Sequence, residues 1–136
     1  MNDRKSILLV EDNPGDALLL AETVGDCGGT CELKTTDRLA SALRLLDEED
    51  FALIITDLNL PDSTGASLVR SIMERNLSVP VIVLSGTDDE NSIAEAISEG
   101  ATACFRKGIT EVDALNVEIL RLLKNSSTSP GATVRL

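Results

Sequence analysis

The chain has 136 residues, 43% of them hydrophobic and 26% charged, enough for one domain with a sizeable core. Its 12 basic and 23 acidic residues give a formal net charge of -11, which argues against non-specific nucleic-acid binding, since that needs Lys and Arg to displace counterions. There is no histidine, which removes the commonest general base and the commonest metal ligand together.

Taken in chain order, residues 6–10 are an apolar run that reads as a buried strand ending on Glu11-Asp12. Asn13-Pro14-Gly15-Asp16 is turn chemistry, and Pro14 suits the first turn of a helix that runs to about Val24 and is broken by Gly25, Gly28 and Gly29. A second strand covers residues 31–35, and Thr36 or Asp37 is placed to cap a helix carrying Leu39, Leu43 and Leu46 at helical spacing. The third strand is a β-branched run from Phe51 that ends on a single carboxylate, Asp57. Pro61 and Gly65 then mark a loop in which Asp62, Ser63 and Thr64 offer caps for a third helix, with Leu68, Val69 and Ile72 facing in. Residues 80–84 are a fourth strand leading to Ser85-Gly86-Thr87. Asp88 or Asp89 starts a fourth helix that turns Ile93 and Ile97 to the core and ends at Gly100. Residues 102–105 form a fifth strand, followed by Arg106-Lys107-Gly108, and a fifth helix places Val112, Leu115, Ile119 and Leu122 on one side. The domain is expected over 1–124, with a flexible polar tail over 125–136.

Five strands alternating with five helices predict an α/β fold, a doubly wound parallel sheet with helices on both faces. No apolar run has the length of a membrane span and no signal peptide is evident, so a cytoplasmic protein without membrane association is expected. Cys27, Cys31 and Cys104 show no metal-binding spacing and read as free thiols. In open α/β sheets ligands bind at the carboxyl edge. With strand order 2-1-3-4-5, Glu11, Asp12 and Asp57 converge there, flanked by Ser85 and Lys107. Converging carboxylates repel unless a proton or cation intervenes. The donors are all hard oxygens, which suits Mg²⁺, and an ammonium beside such a cluster implies an anion between them, such as a phosphoryl group.

Glu11-Asp12, Asp57, Ser85-Gly86 and Lys107, together with the loop Asp57-Leu58-Asn59-Leu60-Pro61-Asp62-Ser63-Thr64-Gly65, resemble the receiver domain of two-component response regulators. The resemblance spans nearly the whole chain and implies the flavodoxin-like receiver fold in a non-enzymatic signalling module; a stand-alone one is expected, since helix five runs straight into a short polar tail. It implies that Asp57 accepts a phosphoryl group from a partner histidine kinase or phosphotransfer protein. Glu11, Asp12, Asp57 and the backbone carbonyl of Asn59 would hold Mg²⁺. The Ser85 hydroxyl and the Lys107 ammonium would bind phosphoryl oxygens, and Gly86 would leave room for the donor. A target protein would read the face of helix four, strand five and helix five.

The sequence departs from the family pattern twice. Cys104 stands where an aromatic switch residue is usual, and Gly108 where proline follows the lysine. The Lys107-Gly108 peptide is therefore expected trans, and the response to phosphorylation is expected in the loop after Ser85 rather than on strand five. Two other functions compete. A haloacid-dehalogenase-like phosphatase needs a second acid two residues after its nucleophile, where Asn59 stands. A flavodoxin-like cofactor protein needs a phosphate-holding first loop, which Glu11-Asp12 would make repulsive.

Overall fold

The computed structural model describes residues 5–25, 31–75, 79–86, 90–106 and 112–126. The chain runs β1 (Lys5–Val10), α1 (Pro14–Gly25), β2 (Cys31–Thr36), α2 (Leu39–Glu48) and β3 (Leu53–Asp57). It continues through β4 (Asn59–Leu60), β5 (Ser63–Thr64), α3 (Gly65–Arg75), β6 (Val81–Ser85), α4 (Glu90–Ser98), β7 (Ala103–Arg106) and α5 (Val112–Ser126). Five strands form one parallel sheet in the order β2-β1-β3-β6-β7. This is the expected 2-1-3-4-5 order, because β4 and β5 are a separate two-stranded antiparallel hairpin.

The alternation of side chains along each strand sorts the core into two layers. Ile7, Leu9, Leu53, Ile55, Ile82 and Leu84 pack with Leu20 of α1 and Leu115, Ile119, Leu122 and Leu123 of α5. Leu8, Val10, Ile54, Val81 and Val83 pack with Leu39 and Leu46 of α2, Leu68, Val69 and Ile72 of α3, and Ala96 of α4. Helices thus cover both faces, which is why β3 and β6 are buried at every position and read as continuous apolar runs. Each fully buried Leu or Ile contributes about 1.5–3 kcal/mol relative to leaving it in water.

Several local expectations need correction. Ile97 is 50% exposed, and the α4 residue that enters the core is Ala96. Neither Thr36 nor Asp37 caps α2: the cap position is Arg38, whose side chain makes no capping hydrogen bond and instead donates to Asp37. α5 continues through Ser126, so Asn125 and Ser126 belong to the helix rather than to the tail. At the other end of the chain, Asn13 does cap α1, its Oδ1 accepting from the Asp16 amide at 3.1 Å.

Candidate functional site

The site follows from strand parity and register. β1 and β3 pair with Ile7 opposite Leu53 and Val10 opposite Thr56. The next residues on each, Glu11 and Asp57, stand at the same level at the carboxyl ends of the two strands. Both continue the phase of side chains directed to the α1–α5 layer, Ile7 and Leu9 on one strand and Leu53 and Ile55 on the other. The sheet therefore delivers two carboxylates to one place, and Asp12, at the mouth of α1, supplies a third. Ligand oxygens of Glu11, Asp12 and Asp57 all lie within 4.8 Å of one another. Glu11 and Asp57 are buried, 4% and 6% exposed, while Asp12 faces solvent. Three carboxylates are thus gathered at one strand edge, two of them buried and one exposed.

Local hydrogen bonds fix the acids. Glu11 Oε2 accepts from the Asn13 amide at 3.1 Å. Asp57 Oδ1 accepts from the Asn59 amide at 3.2 Å. The buried Thr56 hydroxyl donates to the Asp57 carbonyl at 2.9 Å, holding the peptide at the strand end. The ligand atoms brought together here are carboxylate oxygens. Such a set fits a hard divalent cation of the Mg²⁺ kind and no soft metal.

Ser85 ends β6, is 1% exposed, and lies one strand away from Asp57, which pairs with Leu84. A methyl group at Gly86 would meet no heavy atom within 4 Å beyond its neighbours, so the space beside Ser85 is open. Cys104 pairs with Val83 and packs toward the α2–α3–α4 layer, whereas Phe105 packs toward the opposite layer, as strand alternation requires. Burial pushes the Cys104 thiol up from its ordinary pKa, which keeps it protonated. Lys107, Gly108 and the peptide between them lie outside the described residues, as do Thr87, Asp88 and Asp89.

The loop after β3 holds what the sequence reading missed. Asn59 pairs with Thr64 and Leu60 with Ser63, so the loop is a hairpin with Pro61 and Asp62 at its tip. Leu58 and Leu60 are buried in the core beside Leu39 of α2. The Leu58 carbonyl accepts from the Gly65 amide at 2.9 Å, and Gly65 takes φ +66, a left-handed conformation suited to glycine, as α3 begins. Asp62 does not cap α3. Its Oδ1 accepts from the Leu39 amide at 2.8 Å and its Oδ2 from the Ala40 amide at 2.9 Å. It therefore caps α2 from 23 residues away. Burial raises the Asp62 pKa, but the amides of Leu39, Ala40 and Asp62 and the charge of Arg38 outweigh it, and the carboxyl sits below its ordinary value.

The family model for the response regulator receiver domain matches residues 7–119. The chain belongs to the receiver domain family. A sensor histidine kinase, RcsC of Salmonella typhi, is 30% identical over 114 residues, which are 84% of this chain and 12% of that protein. The receiver thus corresponds to a small part of such relatives. Among solved structures, the signal receiver domain of an HD domain-containing protein from Pseudomonas fluorescens Pf-5 superposes with a TM-score of 0.83 at 25% identity, covering 93% of this chain and 91% of that one. The phosphorylated cyanobacterial phytochrome response regulator RcpA gives 0.78 at 25% identity, with 94% and 99% covered. No helix among the described residues is long and apolar enough to cross a membrane.

Proposed function

We propose that this receiver accepts a phosphoryl group on Asp57 from a phosphohistidine of a partner histidine kinase or phosphotransfer protein. The observation that carries this reading is the packing of Glu11, Asp12 and the buried Asp57 within 4.8 Å of one another at the carboxyl edge of the sheet. An Asp57 carboxylate oxygen attacks phosphorus, the N–P bond breaks, and the leaving imidazole takes a proton. Glu11, Asp12, Asp57 and the Asn59 carbonyl would hold Mg²⁺, which when bound neutralises charge that builds on the phosphoryl oxygens. The Ser85 hydroxyl donates to one such oxygen and the Lys107 ammonium pairs with another. The protein's own part is positioning: β3 fixes the nucleophile, and the Asn59 amide orients its carboxylate.

The module acts on no substrate beyond its own acyl phosphate, and its cytoplasmic location and its independence of nucleic acid and membrane belong to the same proposal. Similarity to part of a sensor histidine kinase supports the class of partner. The target would read the face of α4, β7 and α5. Cys104 is too small to act as a ring switch, so the response to phosphorylation is confined to the segment after Ser85 and the start of α4. Acetyl phosphate with Mg²⁺ should add one phosphoryl group to the intact mass, and Asp57→Asn or EDTA should abolish the addition. A normal gain in Asp57→Asn would overturn the assignment. Intact mass is the suitable readout because the chain has no Trp or Tyr.

A further inference from the structure

Asp62 joins two parts of the chain that have no covalent reason to move together. On one side is the hairpin of β4 and β5, which begins with Asn59 and follows the acceptor directly. On the other is the N-terminus of α2, whose own cap position, Arg38, offers no side-chain acceptor. Both Asp62 oxygens are engaged, one on the Leu39 amide and one on the Ala40 amide. The two bonds triangulate the hairpin tip against a helix whose Leu39 and Leu46 are anchored in the core. At the base of the hairpin the Asn59 amide is already held by Asp57 Oδ1. That bond fixes the Leu58-Asn59 peptide; the Asn59 carbonyl lies on the next peptide, inside the hairpin, whose path is set by the pairing of Asn59 with Thr64 and by the tethered tip.

We propose that Asp62 is a positioning residue for the metal site: by clamping the hairpin to α2 it holds the Asn59 carbonyl where the cation needs it. This rests on the reading of Glu11, Asp12, Asp57 and Asn59 as cation ligands. Asp62 touches none of the reacting groups. Its role separates from that of an ordinary helix cap because a cap can be supplied locally. Arg38 has φ -155 and ψ 163, the extended backbone of a cap residue, so serine at that position would accept from the first free amides of α2. Arg38→Ser with Asp62→Ala restores the helix end while leaving the hairpin untethered.

The test compares wild type, Asp62→Ala and the double variant Asp62→Ala/Arg38→Ser, by calorimetric titration with Mg²⁺ and by thermal unfolding without it. Asp62→Ala should lower the melting midpoint by about 3–5 °C. It should also weaken Mg²⁺ binding roughly tenfold, the low end of what losing an outer support costs a metal site. The double variant should recover the midpoint and keep the weakened binding. Recovery of both in the double variant would reduce Asp62 to a cap and overturn the inference. So would unchanged Mg²⁺ binding in Asp62→Ala, or in the double variant should the single one not fold. Wild type that binds no Mg²⁺ would overturn the metal reading itself, an outcome distinct from wild type that binds and variants that match it.

Discussion

The two helical layers are built on different terms. In the layer of α2, α3 and α4 the apolar residues keep mainly to one face, with Ile97 of α4 exposed, and the solvent side carries polar ties between elements. Arg75 of α3 reaches Asp47 of α2 at 3.3 Å, Arg70 forks onto Glu99 just past α4, and Asp62 clamps the start of α2. In the layer of α1 and α5 the apolar residues run round the helix. Leu20 is buried, while its neighbours Leu18 and Leu19 are 63% and 47% exposed, and on α5 Val117 and Leu120 are 65% and 44% exposed. Exposed ion pairs contribute little to stability. The difference therefore lies in how each layer is held and what it shows to solvent, and not in the strength of the core beneath it.

That view makes a symmetrical prediction with a large effect. Ile72→Ala on α3 and Ile119→Ala on α5 remove side chains that are both fully buried. Each should cost about 2–5 kcal/mol in urea unfolding. A loss under about 1 kcal/mol on one side alone would show that the cores differ after all.

An intermediate effect sharpens the contrast through pH. Asp62→Asn should lose about 0.5–1 kcal/mol at neutral pH, because one acceptor oxygen becomes a donor facing an amide. The folded pKa of Asp62 is depressed, so its stabilisation is complete above the ordinary aspartate value and disappears as pH falls through the folded one. The gap between wild type and variant should therefore close in acid. A gap that stays constant down to pH about 2 would mean the carboxylate charge plays no part.

The smallest effect belongs to the exposed leucines and valines. Leu18→Gln and Val117→Gln should leave stability within about 0.5 kcal/mol of wild type in the same unfolding measurement. A larger loss in either would place those side chains in contacts that hold the α1–α5 layer together.

The sequence made the frame legible because the frame is periodic. Strand runs and the inward stripe of Leu68, Val69 and Ile72 follow from spacing; the meeting of Glu11 with Asp57 follows only once the strand order of a doubly wound sheet is assumed, which spacing does not supply. What stayed hidden depends on distant partners. The sequence points to Asp62 as a cap for the helix that follows it, since caps are normally local, yet its partners lie 23 and 22 residues earlier. Thr36 and Asp37 had the right chemistry for α2 but not the position, which fell to Arg38. Ile97 follows Ile93 at helical spacing, but Ala96 sits closer to the centre of the buried arc. The pairing of Asn59 with Thr64 left no apolar alternation long enough to read as a hairpin.

The register of β1 with β3 has a consequence for which length changes the chain can absorb. Val10 pairs with Thr56, so the spacing of Glu11 and Asp57 is counted in residues along two strands. One residue inserted into β3 would turn every following side chain to the other face and swing Asp57 away from Glu11. Insertions at exposed Asp50, between α2 and β3, only lengthen a connection, and doubling a loop costs about 0.6 kcal/mol. Among homologous chains, gaps should gather at such connections and be excluded from the few residues before Asp57, because there an indel erases the acceptor's geometry even where the aspartate itself is retained.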